Sequence, residues 1–135
     1  MTERQETMAP SYGKTVDRPF DETLQQVEAA LDREGFGIMT RIDVKEALKQ
    51  KIDVDFHPFQ ILGACMPRMA HKALSAAPEV GVLLPCNVVV RQVDPGRTRV
   101  EVINTGAMTM MFPGGELNEV AAKVGGHLDK VLDSI

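Results

Sequence analysis

With 135 residues, of which 44% are hydrophobic and 25% charged, the chain has the length and composition of one globular domain. Its net charge of −4 and its fifteen scattered lysines and arginines exclude the clustered basic face that nucleic-acid binding requires. No run approaches the roughly 20 apolar residues of a membrane span, and the opening segment lacks the apolar core of a signal peptide. We therefore expect a cytoplasmic protein with no nucleic-acid or membrane partner, whose two cysteines are reduced thiols.

The first half of the domain is predicted to alternate strands with helices. After a polar tail over residues 1–11, side chains alternate from Tyr12 to Val16 as in a strand. A helix then starts at Pro19-Phe20 and ends at Gly35, which is placed as a left-handed cap. Its core-facing stripe, spaced by three or four residues, is Phe20, Leu24, Val27 and Leu31.

A second strand and a short helix follow this cap. The strand over residues 37–42 is predicted to place Ile38, Thr40 and Ile42 on one face. Asp43 and Glu46 have the spacing of a capping box, so the next helix is expected to start there and to run to about Gln50.

The middle of the chain holds the two cysteines. Phe59 to Cys65 is almost wholly apolar, which predicts a central strand, and Pro67 is expected to open a helix that runs to about Ala77. A second cysteine strand follows over residues 86–93. Asp94-Pro-Gly-Arg97 is a strong turn signal, so this strand is predicted to form a hairpin with residues 98–104.

The last part of the chain is predicted to be a loop followed by a long helix. The methionine-rich and glycine-rich residues 105–115 are interpreted as the loop, and apolar residues spaced by three or four predict a helix from about Glu116 to Ser134. The Gly125-Gly126 pair inside this helix suggests close packing or a bend. The element order permits a doubly wound parallel sheet, but the hairpin and short helices favour an α+β domain over residues 12–135. Its mostly antiparallel sheet would be flanked by the early and C-terminal helices.

Several uncommon strings occur together in a characteristic order. They are Tyr12-Gly13, Glu34-Gly-Phe-Gly37, Ile42-Asp-Val44, Ile61-Leu-Gly-Ala-Cys65 and Leu83-Leu-Pro-Cys-Asn-Val-Val-Val90. With these strings the chain resembles the domain-of-unknown-function family 302 from about Tyr12 to Ile135. The resemblance implies a compact α+β domain similar in topology to the TATA-binding-protein-like fold, with no established biochemical function.

The chain departs from the family pattern at two places. Met66 follows the first cysteine where the family usually has asparagine, which removes a good helix N-cap and places a soft thioether beside Cys65. Asn104-Thr105 stands where the family commonly has Asp-Pro.

Cys65 and Cys86 form the candidate thiol site. If their strands pair antiparallel, the end of one lies beside the start of the other, and Cys65 precedes a helix N-terminus that favours a thiolate. This arrangement allows a reactive thiol, a redox pair or a soft-metal site, while the alternative is two buried cysteines that act as small hydrophobes. The residues proposed to line the site are Met66, Met69, His71, Asn87 and Met108.

Metal and catalytic templates are incomplete. Thiolate and thioether donors suit Cu(I), but no Cys-x-x-Cys pair exists and only two cysteines are available, so we expect no resident metal or cofactor. The chain has no phosphate-binding loop, nucleophile elbow or paired-histidine zinc motif, which argues against an enzyme.

Two classes of function remain. The first is a small binding or interaction domain, homodimeric because an open sheet leaves edges and a face to cover, with a ligand that the sequence does not identify. The second is a thiol-dependent redox, sulfur-carrier or soft-metal protein that uses Cys65 and Cys86. Rapid labelling of either thiol in the native state would favour the second class.

Overall fold

An antiparallel sheet organises the molecule. The computed structural model describes residues 9–112 and 114–135, and in that part the strands are β1 (Ser11–Val16), β2 (Gly37–Asp43), β3 (Phe59–Cys65), β4 (Cys86–Asp94) and β5 (Arg97–Ile103). Their order across the sheet is β1-β5-β4-β3-β2, and every neighbouring pair is antiparallel. The predicted α+β fold with an antiparallel sheet is therefore confirmed.

Helices fill the connections between the strands and the end of the chain. They are α1 (Phe20–Arg33), α2 (Val44–Ile52), α3 (Pro67–Ala76), α4 (Thr105–Met111) and α5 (Gly115–Asp133), with a 3-10 helical segment at Pro78–Leu83. Helix α1 packs on the sheet and on α5, α2 contacts β2 and β3, and α3 and α4 both pack against α5. Among the described residues, no helix has both the length and the apolar character needed to cross a lipid bilayer.

The core lies between one face of the sheet and helices α1 and α5. Even-numbered residues of β1, β3, β4 and β5 point toward the helices because side chains alternate along a strand, and several are completely buried, such as Leu62, Val88 and Val100. The helices contribute Val27, Leu31, Leu128, Val131 and Leu132, which are also completely buried. In the interior of these four strands, odd-numbered residues point to the opposite face of the sheet.

Helix α1 ends as the sequence predicts. Gly35 adopts a φ of 90°, and its N–H donates to the carbonyl of Asp32 while the N–H of Phe36 donates to that of Leu31. These two bonds form a Schellman motif, and Phe36 is buried where the motif usually makes a hydrophobic contact. The chain therefore turns from α1 into β2 with its last helical carbonyls satisfied.

Strand β2 is less regular than the alternation of its residues predicts. Ile38 pairs with Ala64 and Thr40 pairs with the adjacent Gly63. Met39 therefore has no partner position in β3, and β2 contains a β-bulge there. Such a bulge places Ile38 and Thr40 on opposite faces. The prediction that both share one face with Ile42 is therefore wrong.

Asn104 causes the largest difference between prediction and structure. Its side-chain oxygen accepts from the N–H groups of Gly106 and Ala107, which caps α4 where we predicted a loop over residues 105–115. Its side-chain amide donates to the carbonyl of Ala9, and its own N–H donates to that of Pro10. Of the predicted tail, residues 1–8 lie outside the described part, but residues 9–11 are held against the domain.

Candidate functional site

The end of β3 meets the start of β4 at the two cysteines. Ala64 is the register partner of Cys86, so Cys65 lies one residue beyond a paired position. After Cys65 the chain passes through Met66, the N-cap of α3, and Pro67 takes the first helical position as predicted. The cysteines are unpaired, Cys86 being buried and Cys65 partly exposed.

Both cysteines line one apolar pocket. Its volume is about 60 Å³, and none of the described residues that line it carries a charge. The strand ends form one wall with Ala64, Cys65 and Cys86, and three helices form the others. Those helical residues are Met69, Ala70 and Ala73 of α3; Thr105, Met108 and Thr109 of α4; and Leu117, Val120, Ala121 and Val124 of α5.

The polar groups of the pocket wall already have partners. The Thr105 hydroxyl donates to the carbonyl of Ala121 at 2.7 Å, and the Thr109 hydroxyl donates to that of Gly106 at 2.7 Å. What the wall presents to a ligand is therefore aliphatic carbon, aromatic carbon and sulfur. Such a surface favours a neutral apolar ligand or a soft, sulfur-seeking one.

Cys86 is chemically protected in this pocket. Burial, and secondly the negative charge that Cys65 would carry as a thiolate, raise the pKa of the Cys86 thiol to about 11. Cys86 is therefore a neutral thiol at physiological pH, and its nucleophilic thiolate form is scarce.

The structure separates the predicted lining residues into two groups. Met66, Met69 and Met108 line the pocket together with Cys65 and Cys86. His71 and Asn87 do not, and both are exposed. His71 lies on α3 away from the pocket-facing positions Met69, Ala70 and Ala73, and Asn87 follows Cys86 in a strand, so its side chain points to the other face.

Other pocket residues were not predicted as site residues. Leu117, Val120 and Val124 were interpreted as the core-facing stripe of the last helix, and part of that stripe faces the pocket instead. Phe36 and Phe112 close further sides of the wall. The spacing of apolar residues along a helix is the same whether they face a packed core or a pocket. The sequence therefore contains no indication that these residues line a pocket.

The methionine-bearing part of the predicted loop is the helix α4. Met108 of α4 points into the pocket, whereas Met110 and Met111 are 54% and 66% exposed. Among the described residues, no group of three or more histidine, cysteine, aspartate or glutamate side chains is placed to hold a metal ion.

A second depression lies at the opposite end of β3. It has a volume of about 410 Å³ and is lined by residues of mixed polarity, including Asp21, Asp43, Lys45 and Gln92. The three charged residues are exposed, so water screens them. The smaller apolar pocket is therefore the stronger candidate.

Comparison with known families identifies the domain. The family model for the domain of unknown function DUF302 matches residues 12–135. The chain belongs to the DUF302 family. No functionally curated protein matches this DUF302 chain.

A solved DUF302 structure has the same fold. The chain is 33% identical to an uncharacterized conserved DUF302 protein from Bacillus stearothermophilus, whose crystal structure superposes with a TM-score of 0.82. The match covers 92% of this chain and 96% of that one.

Proposed function

We propose that this DUF302 domain is a small-molecule-binding protein, homodimeric and without catalytic activity of its own. The observation that carries the proposal is the apolar pocket between the β3 and β4 strand ends and helices α3, α4 and α5. Apolar pockets with few free polar groups are the usual form of sites for small neutral ligands.

The size of the pocket limits the ligand. A volume of about 60 Å³ gives room for about four to six water-sized groups, since one water needs roughly 10–15 Å³ by this measure. The ligand that fits is a neutral molecule with a compact apolar part, such as a single aromatic ring. A charged group would lose its hydration without gaining a partner in the wall.

Filling the pocket tests this proposal. Ala121 of α5 lines the pocket, and its neighbour Ala122 is exposed, so Ala121→Leu adds three carbons inside the pocket while Ala122→Leu adds them outside. Binding of benzene, toluene and naphthalene is followed by amide chemical shifts of the isotope-labelled protein. We expect a Kd at least about tenfold weaker for Ala121→Leu, which corresponds to about 1.4 kcal/mol, and an unchanged Kd for Ala122→Leu.

Shift changes should cluster on the pocket residues of β3, β4 and α5. The proposal fails if none of the three molecules perturbs those amides, or if both leucine variants bind as the wild type does.

The homodimer is supported by exposed apolar side chains on β2, at the end of α2 and in the α2–β3 connection. They are Met39, Ile42, Ile52, Val54 and Phe56, between 36% and 68% exposed. Exposed apolar clusters of this kind are typical of protein interfaces.

Charges around this surface suit a second copy of the same chain. Lys45 and Lys51 of α2 lie near Asp53 and Asp55 in the chain, and all four are exposed. Within one chain Lys49 pairs with Asp53 at 2.9 Å and with Asp55 at 3.4 Å. An isologous interface pairs each patch with itself, so Lys45 or Lys51 of one copy can approach these aspartates of the other.

The cellular setting of the proposal is the cytoplasm. Cys65 and Cys86 lie on adjoining strand ends as free thiols, which is the state that a reducing compartment maintains. The net charge of −4 supports a role without nucleic acid.

A further inference from the structure

Five sulfur-bearing residues line the same pocket. Two are the thiols of Cys65 and Cys86, and three are the thioethers of Met66, Met69 and Met108. Cys65 ends β3 and Cys86 begins β4, whereas Met69 and Met108 come from α3 and α4, so these sulfur donors reach the pocket from four elements.

The donor set decides which metal ion this wall can bind. Zinc takes four tetrahedral ligands from thiolate, imidazole or carboxylate, and the described residues of the wall include only two cysteines and no histidine or carboxylate. Calcium and magnesium require oxygen ligands. Thiolate together with thioether selects Cu(I), which does not require four ligands.

We propose that the pocket binds one Cu(I) ion through the sulfurs of Cys65 and Cys86, with the thioether of Met108 as a further ligand. On binding, each coordinated thiol loses one proton to solvent as its copper–sulfur bond forms. No electron moves, because the metal enters and remains as Cu(I). The ion offsets one of the two thiolate charges, so the bound site carries one net negative charge where the two free thiolates would carry two.

The copper site uses the pocket of the proposed function but does not rest on the apolar ligand. The two proposals fail separately: the first is tested in copper-free protein with aromatic ligands, and the second with Cu(I) alone.

The experiment is an anaerobic titration of the reduced full-length chain with Cu(I), in competition with the chromogenic chelator bicinchoninate. We expect one Cu(I) per chain and a thiolate-to-copper charge-transfer absorption in the ultraviolet. Loss of residues that merely support a ligand weakens metal affinity about 10- to 100-fold, so Cys65→Ser and Cys86→Ser should each weaken it about 100-fold or more.

A matched pair on one helix tests the thioether. Met108 faces the pocket and Met110 is 54% exposed, so Met108→Leu should weaken Cu(I) binding about tenfold, while Met110→Leu should leave it unchanged. His71→Ala is a second control, because His71 lies outside the pocket. Circular dichroism verifies that each variant is folded.

Two results would overturn the proposal. One is a folded, fully reduced wild type that takes no Cu(I) from the chelator. The other is binding that survives Cys65→Ser undiminished, which would place the metal elsewhere. If Cys86→Ser does not fold, Cys65→Ser and the two methionine variants still decide the question.

Discussion

At the scale of single residues, the two cysteines share a pocket but differ in their exposure to solvent. Cys86 is 8% exposed and faces the helices with the other even-numbered residues of β4, whereas Cys65 ends its strand and is partly exposed. Reagents in solution therefore reach Cys65 first. Cys86 contributes both to the buried wall and to the donor set.

The raised pKa of Cys86 predicts a loss of stability at alkaline pH. In the unfolded chain this thiol ionises near its ordinary pKa of 9.0, while in the folded protein it stays protonated up to about 11. The folded state therefore binds this proton more tightly. The resulting stability is fully present below pH 9 and is lost as pH rises from about 9 to about 11. A shift of this size corresponds to about 2–3 kcal/mol.

Urea unfolding of the copper-free protein between pH 7 and pH 11 measures this effect. Tyrosine and lysine side chains also titrate in this range, so the informative quantity is the difference between wild type and Cys86→Ala. We expect the wild type to lose its advantage over the variant as pH rises. Parallel stability curves for the two proteins would show that Cys86 does not carry the effect.

Sequence reasoning placed the cysteines well because it depended on strand order. An antiparallel pairing of β3 and β4 brings Cys65 and Cys86 to one end of the sheet whatever the details of packing. It misplaced Asn87 and His71, whose positions depend on which face of a strand or helix meets the pocket. For His71 that choice is made by the packing of α3 against α5, which has no local signature. For Asn87 the alternation of side chains in a strand already places it on the face opposite Cys86.

At the scale of elements, α4 shows where local sequence is insufficient. Thr105–Met111 holds a glycine and two threonines, which are mediocre helix formers, and seven residues are too few for a stable isolated helix. The helix exists because Asn104 caps it and because it packs against α5. Only the packing against α5 depends on the assembled fold; the Asn104 cap is a local signal, and the loop prediction missed it.

Two glycines in regular elements are expected to respond oppositely to alanine. A Cβ on Gly126 of α5 would meet nothing within 4 Å, so Gly126→Ala should stabilise the protein by about 1 kcal/mol through helix propensity. A Cβ on Gly13 of β1 would overlap the backbone oxygen of Val100 in β5. Gly13→Ala should therefore destabilise it by about 1–3 kcal/mol.

Thermal and urea unfolding of the two variants give the comparison. If both substitutions stabilised the protein, or both destabilised it, the result would contradict the backbone geometry. The result for Gly126 concerns that position alone, because its neighbour Gly125 is the buried glycine of the pair.

At the scale of the whole molecule, apolar exposure is unevenly distributed. The pocket is lined by α3, α4 and α5. By contrast, Met39 and Ile42 lie on β2, Ile52 ends α2, and Val54 and Phe56 lie in the α2–β3 connection. Strand β2 is also an edge of the sheet, so within the described chain no strand lies beside its outer side. A second copy on this surface would leave the pocket accessible.

A lysine substitution can test whether the chain dimerises through the β2 and α2–β3 surface. Ile52 is 63% exposed on this surface, and Val82, 80% exposed, lies outside it in the 3-10 segment. In a dimer, Ile52→Lys would bury an ammonium group without a designed partner, while Val82→Lys would add the same charge in solvent. Light scattering at micromolar concentration should report a dimer for wild type and for Val82→Lys. For Ile52→Lys the dimer Kd should rise at least about thirtyfold, equivalent to about 2 kcal/mol at an interface hot spot.

A monomeric wild type, or equal weakening of the dimer by both lysine variants, would contradict association through this surface. Because both variants change net charge equally, general repulsion between copies cannot produce a difference between them.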